Sequence, residues 1–417
     1  MTAASSVVDY RGGHEARLLV GGDELFPAMS VAIARASHEV WFATYIFNDD
    51  PTSRRMAEDL IAAAERGVAV HVLVDGFGSK AKLGLLCNWF SGSGVRLEVF
   101  RPLDRWWTWL QPGQLRRLHQ KLCSVDARVG FVGGINVIDD RFDINHGWTE
   151  QPRLDFAVEL QGPVAADIRR VVHGLWMRAH LGRGWRSELM QVARSAQPVN
   201  RTLRLFRQMR TRARDTPGTA HVEQLPPVRA ALVVRDNLRQ RRAIERTYVE
   251  AIVRARDRID IACAYFYPGR AFRRALLRAA ERGVHIRLLM QGKVDYRLAG
   301  LAARVLYDEL LARGVRVFEY TPAFLHAKVA VVDDDWATVG SSNIDPLSLL
   351  LNLEANAVVA DSAFVADLVA RLDTAFAAST EIVAPPVRRG WRGWLSRGFV
   401  AWVANTYLRV AGITGRY

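Results

Sequence analysis

Cysteine is scarce in this sequence, and its pattern excludes two kinds of site. The chain of 417 residues contains three cysteines, which lie far apart and include no Cys-x-x-Cys pair. Disulfide frameworks and zinc sites need paired or clustered cysteines, so we predict neither. We expect Cys87, Cys123 and Cys263 to be small buried apolar side chains in a protein of a reducing compartment.

Long apolar runs are also absent. No run approaches the ~18–20 consecutive apolar residues that span a bilayer. The N-terminal residues lack the charged start and apolar stretch of a signal peptide. The sequence thus predicts a soluble or peripheral protein. Hydrophobic residues still form 50% of the chain, enough for a sizeable core, and roughly 100–200 residues per domain predicts two or three domains.

Lysine is the third scarce residue. The net charge is +14 and the pI about 10.2, yet only five of the 57 basic residues are lysines. A surface this positive favours an anionic partner, which could be nucleic acid, an anionic membrane or a phosphate-bearing substrate. Charge alone does not choose among these three.

The pentapeptide AERGV occurs twice, at 64–68 and 280–284. Each copy ends a stretch with apolar residues at helical spacing, and Gly67 and Gly283 are predicted to end the two helices in the left-handed conformation. Further strands are predicted at 39–47, 68–74, 95–100, 258–266, 284–290 and 315–320. Because the order of elements repeats, we predict an α/β fold of two similar lobes. Each lobe is expected to be a mixed β-sheet flanked by helices.

The repeat sets the predicted domain boundaries. The first lobe is expected to span 15–182 and the second 228–380, with a basic, arginine-rich linker at 183–227 between them. This linker is either a solvated connection or a segment that touches a membrane. A basic aromatic tail at 385–417 follows the second lobe.

A second repeated pattern carries candidate chemistry. Both lobes contain His-x-Lys, then Asp, then two small residues and Asn, at identical spacing. The first copy comprises His119, Lys121, Asp126, Gly133, Gly134 and Asn136, and the second comprises His326, Lys328, Asp333, Gly340, Ser341 and Asn343. Residues two apart on a strand share a face, so each imidazole is expected beside an ammonium group.

These residue types together are suited to phosphate chemistry. Lysine, asparagine and Ser341 can bind phosphate oxygens, and histidine can act as nucleophile or as general acid and base. Asp126 and Asp333 complete the candidate catalytic set, although their place at strand ends favours a structural role. Asp155 and Glu354 lie in later strand-like runs, where each could orient a histidine by accepting a hydrogen bond from Nδ1–H.

The twofold motif resembles that of the phospholipase D superfamily. Within it, the strings DARVGFVGGIN, DFAVELQGP and LHAKVAVVDDDWATVGSSNIDPLSLLLNLEAN resemble bacterial cardiolipin synthases of the shorter type without N-terminal transmembrane helices. The resemblance covers roughly residues 15–180 and 228–380.

This resemblance implies one active site between the lobes that needs no metal or other cofactor. By family analogy His119 attacks the phosphorus of a phosphatidyl donor to give a phosphohistidine, and His326 serves as acid and base. The residues themselves leave that order open. The implied reaction joins two phosphatidylglycerol molecules into cardiolipin with release of glycerol. The acceptor stays open at this point among a second phosphatidylglycerol, another phospholipid such as phosphatidylethanolamine, and a free alcohol.

Two segments bear on the membrane. Trp106, Trp107 and Trp109 lie among arginines before His119, and they either contact an anionic membrane or pack as a loop cap. The tail at 385–417 is interpreted as an in-plane interfacial helix, with docking on the protein's own body as the alternative. We expect a peripheral protein on the cytoplasmic face of the bacterial inner membrane, bound to anionic lipid, with no nucleic acid partner. The oligomeric state stays open.

Two other functions remain possible from the sequence. One is a phospholipase D-type hydrolase or a phosphodiesterase acting on DNA, which the positive charge would suit. The other is a non-enzymatic membrane-binding protein with a decayed site. The intact state of both motifs argues against this alternative. Turnover of phosphatidylglycerol or of plasmid DNA distinguishes the three.

Overall fold

The fold is known from a computed structural model, which describes most of both lobes. The described residues are 8, 10–102, 116–193, 228–236, 240–293, 307–345 and 352–383, with side chains to residue 181 in the helix that ends at 193. The three tryptophans of the first-lobe insertion, the linker beyond 193 and the aromatic tail lie outside these ranges.

The first lobe alternates strands and helices and ends in a long helix. Its elements are β1 (Arg11–Val20), α1 (Gly21–Ala34), β2 (Glu39–Thr44), α2 (Pro51–Glu65), β3 (Ala69–Asp75), a 3₁₀ turn (Lys80–Lys82), α3 (Leu83–Phe90), β4 (Arg96–Phe100), β5 (Arg117–Leu118), β6 (Lys121–Val125), β7 (Val129–Gly133), β8 (Phe142–Asp143), β9 (Gly147–Trp148), β10 (Phe156–Gln161) and α4 (Pro163–Ala193).

The second lobe repeats the order of the main elements, without described counterparts of β5, β8 and β9. Its elements are β11 (Val228–Arg235), α5 (Ala243–Arg254), β12 (Arg258–Cys263), α6 (Arg270–Glu281), β13 (His285–Gln291), α7 (Tyr307–Leu311), β14 (Arg316–Tyr320), β15 (Lys328–Val332), β16 (Trp336–Gly340), β17 (Asn352–Ala360), α8 (Ser362–Ala377) and β18 (Thr380–Glu381).

The sheets of the two lobes have the same topology. The strand order is β1-β10-β7-β6-β2-β3-β4 in the first lobe and β11-β17-β16-β15-β12-β13-β14 in the second. In each lobe the last three strands of that order are parallel and the others pair antiparallel. β1 pairs with β11 and joins the two sheets. The predicted pair of similar mixed α/β lobes is therefore confirmed.

The repeated AERGV pentapeptide ends α2 and α6, as predicted. Gly67 and Gly283 both have φ of +89°, a conformation that costs glycine little because it has no Cβ. α2 also begins with the expected signals, since Pro51 follows Asp50 and the Asp50 carboxylate accepts a hydrogen bond from Ser53 N–H at 2.9 Å.

Three apolar clusters hold the layers together. One lies between the first sheet and α1–α3, and a second lies between the second sheet and α5–α7. The third contains buried residues from both sheets together with α4 and α8, including Leu18, Trp176, Val329 and Leu372. Because this central cluster draws on both lobes, burial of apolar surface fixes their mutual position, which the site below requires.

Two expectations differ from the structure. The predicted boundary between residues 182 and 183 falls inside α4, because the helix continues to Ala193 through the arginine-rich start of the predicted linker. Cys87 is exposed, whereas Cys123 and Cys263 are buried as expected. Cys87 lies in α3, whose buried residues are Leu86 and Phe90, and so it falls on the solvent side of that helix.

Candidate active site

Each histidine segment is held by the opposite lobe. β5, which directly precedes His119, pairs in parallel with Asn352–Leu353 at the start of β17, and His119 N–H donates to the Leu353 carbonyl at 3.0 Å. The second copy mirrors this arrangement. Leu325 forms a parallel bridge with Leu154, and His326 N–H donates to the Leu154 carbonyl at 2.9 Å.

The two acids are exchanged between the lobes in the same way. His119 Nδ1 lies 3.0 Å from a carboxylate oxygen of Glu354, and His326 Nδ1 lies 2.6 Å from Asp155 Oδ2. Both carboxylates are almost fully buried, at 0% and 1% exposure. Because each acid occupies Nδ1, the Nε2 atom of each imidazole is the one that can react.

The lysines start the strands that follow. Lys121 begins β6 and Lys328 begins β15. Each histidine therefore lies just before the strand, whereas the sequence predicts that histidine and lysine share one strand. Lys121 Nζ donates to the His119 carbonyl at 2.8 Å, and Lys328 Nζ donates to the His326 carbonyl. Each ammonium group is thus tied to its own histidine.

Burial lowers the pKa of all four basic groups. It brings the pKa of Lys121 down to about 7 and also lowers that of Lys328. The pKa of His119 is lowered by burial, with Glu354 opposing the change, and the pKa of His326 falls well below its usual value because of burial and the Lys328 charge. Neutral imidazoles are therefore favoured in the free site, and a bound phosphate anion would raise all four pKa values.

The two acids differ in their ionisation. Burial alone would raise the pKa of Glu354, but His119, Lys121 and the Ser341 hydroxyl outweigh it and the pKa is lowered. Burial raises the pKa of Asp155 to about 6 despite the Lys328 charge. The His119–Glu354 pair is consequently the one whose carboxylate is held more firmly in its charged form.

The small residues of the motif take different places in the two lobes. The Ser341 hydroxyl donates to the Glu354 carboxylate and accepts from Ala355 N–H at 3.1 Å, so it supports the acid, whereas the sequence predicts a phosphate contact for it. Its counterpart Gly134 lies so close to Asp155 that a Cβ there would overlap the carboxylate. The close contact between the Asp155 carboxylate and the backbone of residue 134 therefore requires glycine at that position in the first lobe.

The two asparagines are buried beside the lysine strands. Asn136 Oδ1 accepts from Ile46 N–H at 3.3 Å, and Asn343 Oδ1 lies 3.8 Å from Cys263 Sγ. Both contacts engage the amide oxygen. A donor role toward a phosphate oxygen would therefore fall to Nδ2 of each side chain.

The motif aspartates bind backbone at the far ends of β6 and β15 from the lysines. Asp126 accepts from the N–H groups of Ser37, His38 and Glu39, all at 2.8 Å, and thereby holds the start of β2. Asp333 does the same for the start of β12, accepting from residues 256, 257 and 258. This geometry supports the structural role favoured above and argues against their place in the catalytic set.

Replacing Asp126 with alanine should lower stability and spare chemistry. Its loss leaves three N–H groups without their acceptor, at a cost of about 1–3 kcal/mol because water reaches part of this turn. Urea unfolding should report that loss, while kcat of the folded fraction stays within about two-fold of the original because the aspartate touches no reacting group. A hundred-fold fall in kcat at unchanged stability would contradict the structural role.

Sequence reasoning missed three residues that shape the site. Asp75 Oδ2 accepts from Leu118 N–H at 2.8 Å, and Gln291 Oε1 accepts from Leu325 N–H at 2.7 Å, each just before a histidine. These two residues end the equivalent strands β3 and β13, which is the signal that could have found them. Tyr45 packs edge-on to His119 with ring centroids 5.0 Å apart. In the strand register, its counterpart is Ala264, and so the two histidines have different neighbours.

No helix among the described residues combines the length and the apolar character needed to cross a bilayer.

Two similar lobes, each supplying a His-x-Lys segment to one shared site, define a protein of the phospholipase D superfamily. The family model described as "Cardiolipin synthase, PLD-like domain" matches residues 29–149 and 248–378. The chain belongs to this family.

Relatives extend the match along most of the chain. It is 36% identical over 386 residues to cardiolipin synthase B of Escherichia coli strain K12, covering 92% of this chain and 86% of that protein. It is 29% identical to cardiolipin synthase A of Pseudomonas fluorescens strain Pf-5, covering 91% and 72%. A solved phosphatidylserine synthase of Haemophilus influenzae shares the fold, with a TM-score of 0.63 at 11% identity and coverage of 96% and 95%.

Proposed function

We propose that the protein is a cardiolipin synthase that transfers a phosphatidyl group from one phosphatidylglycerol molecule to another and releases glycerol. The observation that carries this proposal is the pair of His-Lys segments whose histidines are bound by buried acids exchanged between the lobes. The family relationship supports the same reaction class. The arrangement supplies two imidazoles held at Nδ1 by acids and two ammonium groups close enough for both of their charges to act on both imidazoles, which is what a two-step phosphoryl transfer needs.

In the first step, His119 Nε2 attacks the phosphorus of the donor phosphatidylglycerol. A phosphorus–nitrogen bond forms, the bond from phosphorus to the glycerol oxygen breaks, and His326 Nε2 donates a proton to that oxygen. The Glu354 carboxylate accepts a hydrogen bond from Nδ1–H of His119 and stabilises the positive charge that develops on the His119 ring. The bound phosphate favours the protonated state of His326 that this step requires.

In the second step, a hydroxyl of the acceptor phosphatidylglycerol attacks the phosphohistidine. His326 removes its proton, the phosphorus–nitrogen bond breaks, and His119 returns to its neutral form. We assign Lys121, Lys328, Asn136 and Asn343 to the non-bridging phosphate oxygens, where the ammonium charges oppose the negative charge of the transition state. The lysines, asparagines and acids around the imidazoles are buried, which limits the water that could compete with the acceptor.

The substrate places the protein at a membrane. A net charge of +14 favours an anionic surface, and we propose peripheral attachment to the cytoplasmic face of the bacterial inner membrane. The linker beyond 193, the tryptophan-rich insertion and the aromatic tail lie outside the described residues, and for each of them membrane contact stays one of the two alternatives given by the sequence.

Incubation of the purified protein with phosphatidylglycerol in mixed micelles tests the function. We expect equal amounts of cardiolipin and glycerol, with the same rate in the presence of EDTA. Phosphatidic acid as the main product would indicate a hydrolase. Cleavage of plasmid DNA without lipid turnover would indicate a phosphodiesterase and overturn the proposal.

A further inference from the structure

The short hairpin β8–β9 exposes two large apolar side chains near its turn. Ile144 is 57% exposed and Trp148 is 61% exposed. The hairpin is nonetheless well supported. Asp143 accepts from the N–H groups of Asn145 and His146 in the turn, and Arg153 donates to both Asp143 and the Phe142 carbonyl. Hydrogen bonds therefore hold the hairpin that carries these exposed apolar side chains in a defined conformation.

This hairpin lies beside the second histidine segment. The His146 ring is 5.2 Å from the ring of Phe324, two residues before His326. At the base of the hairpin, Arg153 directly precedes Leu154 and Asp155, which hold the His326 backbone and imidazole. The exposed tip thus belongs to the edge of the candidate active site.

A third exposed apolar side chain flanks the first histidine segment. Phe77 is 44% exposed, and its N–H donates to Asp75, the residue that also holds Leu118 next to His119. The Arg117 guanidinium lies 5.4 Å from the centre of the Phe77 ring. Arg117 is itself buried beside Asp75, so it supports the Phe77 ring from below and adds no exposed charge.

The distribution of such side chains is uneven. The large apolar side chains recorded as exposed among the described residues are Val31, Phe77, Ile144, Trp148, Val253 and Val383. Both aromatic members of this set, and three of its six members, flank the two histidine segments. Val31 and Val253 lie on the outer helices α1 and α5 and offer matched controls.

We propose that Ile144, Trp148 and Phe77 form an interfacial rim that inserts into a bilayer containing phosphatidylglycerol. Tryptophan and phenylalanine suit the boundary between headgroups and acyl chains, and the net charge of +14 favours a surface of anionic headgroups. The rim would bring headgroups to the histidines without moving the acyl chains into water. The identity of the lipid rests on the proposed function, while insertion itself does not.

A fluorescent label on the rim tests insertion without any catalysis. In the full chain with Cys87→Ser, the remaining cysteines are buried, so Ile144→Cys can be labelled selectively with nitrobenzoxadiazole. With phosphatidylglycerol vesicles, we expect its emission to shift to the blue and to be quenched by spin-labelled lipid. A label at Val253→Cys should keep its emission in water.

Three outcomes would overturn the rim. The label at 144 could stay in water while the protein sediments with vesicles, which would place the attachment elsewhere. The protein could fail to bind the vesicles. The label could be shielded in dilute buffer before vesicles are added, which would indicate a covering protein surface. A positive result together with absent lipid turnover would leave the rim standing and refute the proposed function.

An affinity measurement gives a second test. The double variant Ile144→Ser and Trp148→Ser should bind phosphatidylglycerol vesicles at least about ten-fold more weakly in flotation, a loss of about 1.4 kcal/mol. The control Val31→Ser and Val253→Ser should match the original chain. Equal affinities for the two double variants would count against the rim.

Discussion

Replacement of His119 or His326 by alanine is expected to lower cardiolipin formation by at least about 10³-fold, because each removes a group that forms or breaks bonds. Neither lysine can substitute for an imidazole, since its ammonium is tied to the backbone of its own histidine segment. The rate should be measured with phosphatidylglycerol in mixed micelles, alongside thermal unfolding to establish that the variants fold.

The same variants decide which histidine is the nucleophile. With donor labelled at phosphorus, the His119→Ala chain should carry no acid-labile phosphate. The His326→Ala chain should accumulate it on His119, because the base for the second step is missing. The opposite pattern would reverse the two roles.

A matched control removes a histidine away from the site. His285 is exposed at the start of β13, and His285→Ala should retain full activity because nothing in the proposed steps involves it. Full activity of either catalytic variant would refute the shared-site mechanism.

Much of the fold could be predicted because its signals are local. Helical periodicity, the glycines at 67 and 283 and the β-branched runs each act over a few residues, and they recur in order. The duplicated motif also showed that two histidine segments belong together. The formation of a strand does not by itself explain why the same histidine and lysine residues recur at equal spacing in both lobes.

The exchange of acids between lobes could not be predicted in this way. It depends on the pairing of β5 with β17 and of Leu325 with Leu154, and these contacts join segments far apart in the chain. Such pairing is decided by how the central apolar cluster packs the two sheets. The prediction that Cys87 is buried was wrong for a related reason. Composition gives a tendency toward burial, whereas the face of α3 decides the individual residue.

Replacement of Glu354 by glutamine, whose side chain has nearly the same shape, is expected to lower the rate of cardiolipin formation by about 10²–10⁴-fold. The amide cannot stabilise the positive charge that develops on His119, and its NH₂ group competes for the contacts that the carboxylate accepts from His119 and Ser341. Asp155→Asn should also slow the reaction, through His326. Steady-state rates with phosphatidylglycerol measure both effects.

Stability cycles then test the exchange itself. Urea unfolding of His119→Ala, Glu354→Gln and the double variant should give a coupling energy of about 1–3 kcal/mol, since these side chains share a hydrogen bond to a fully buried carboxylate. The cycle of His119→Ala with Asp155→Asn should be additive to within about 0.5 kcal/mol. If each acid instead served the histidine of its own lobe, the two results would be reversed. Because the crossed pairing ties each histidine to both lobes, separating the lobes would disable both imidazoles together, and this makes the interface between them part of the catalytic site.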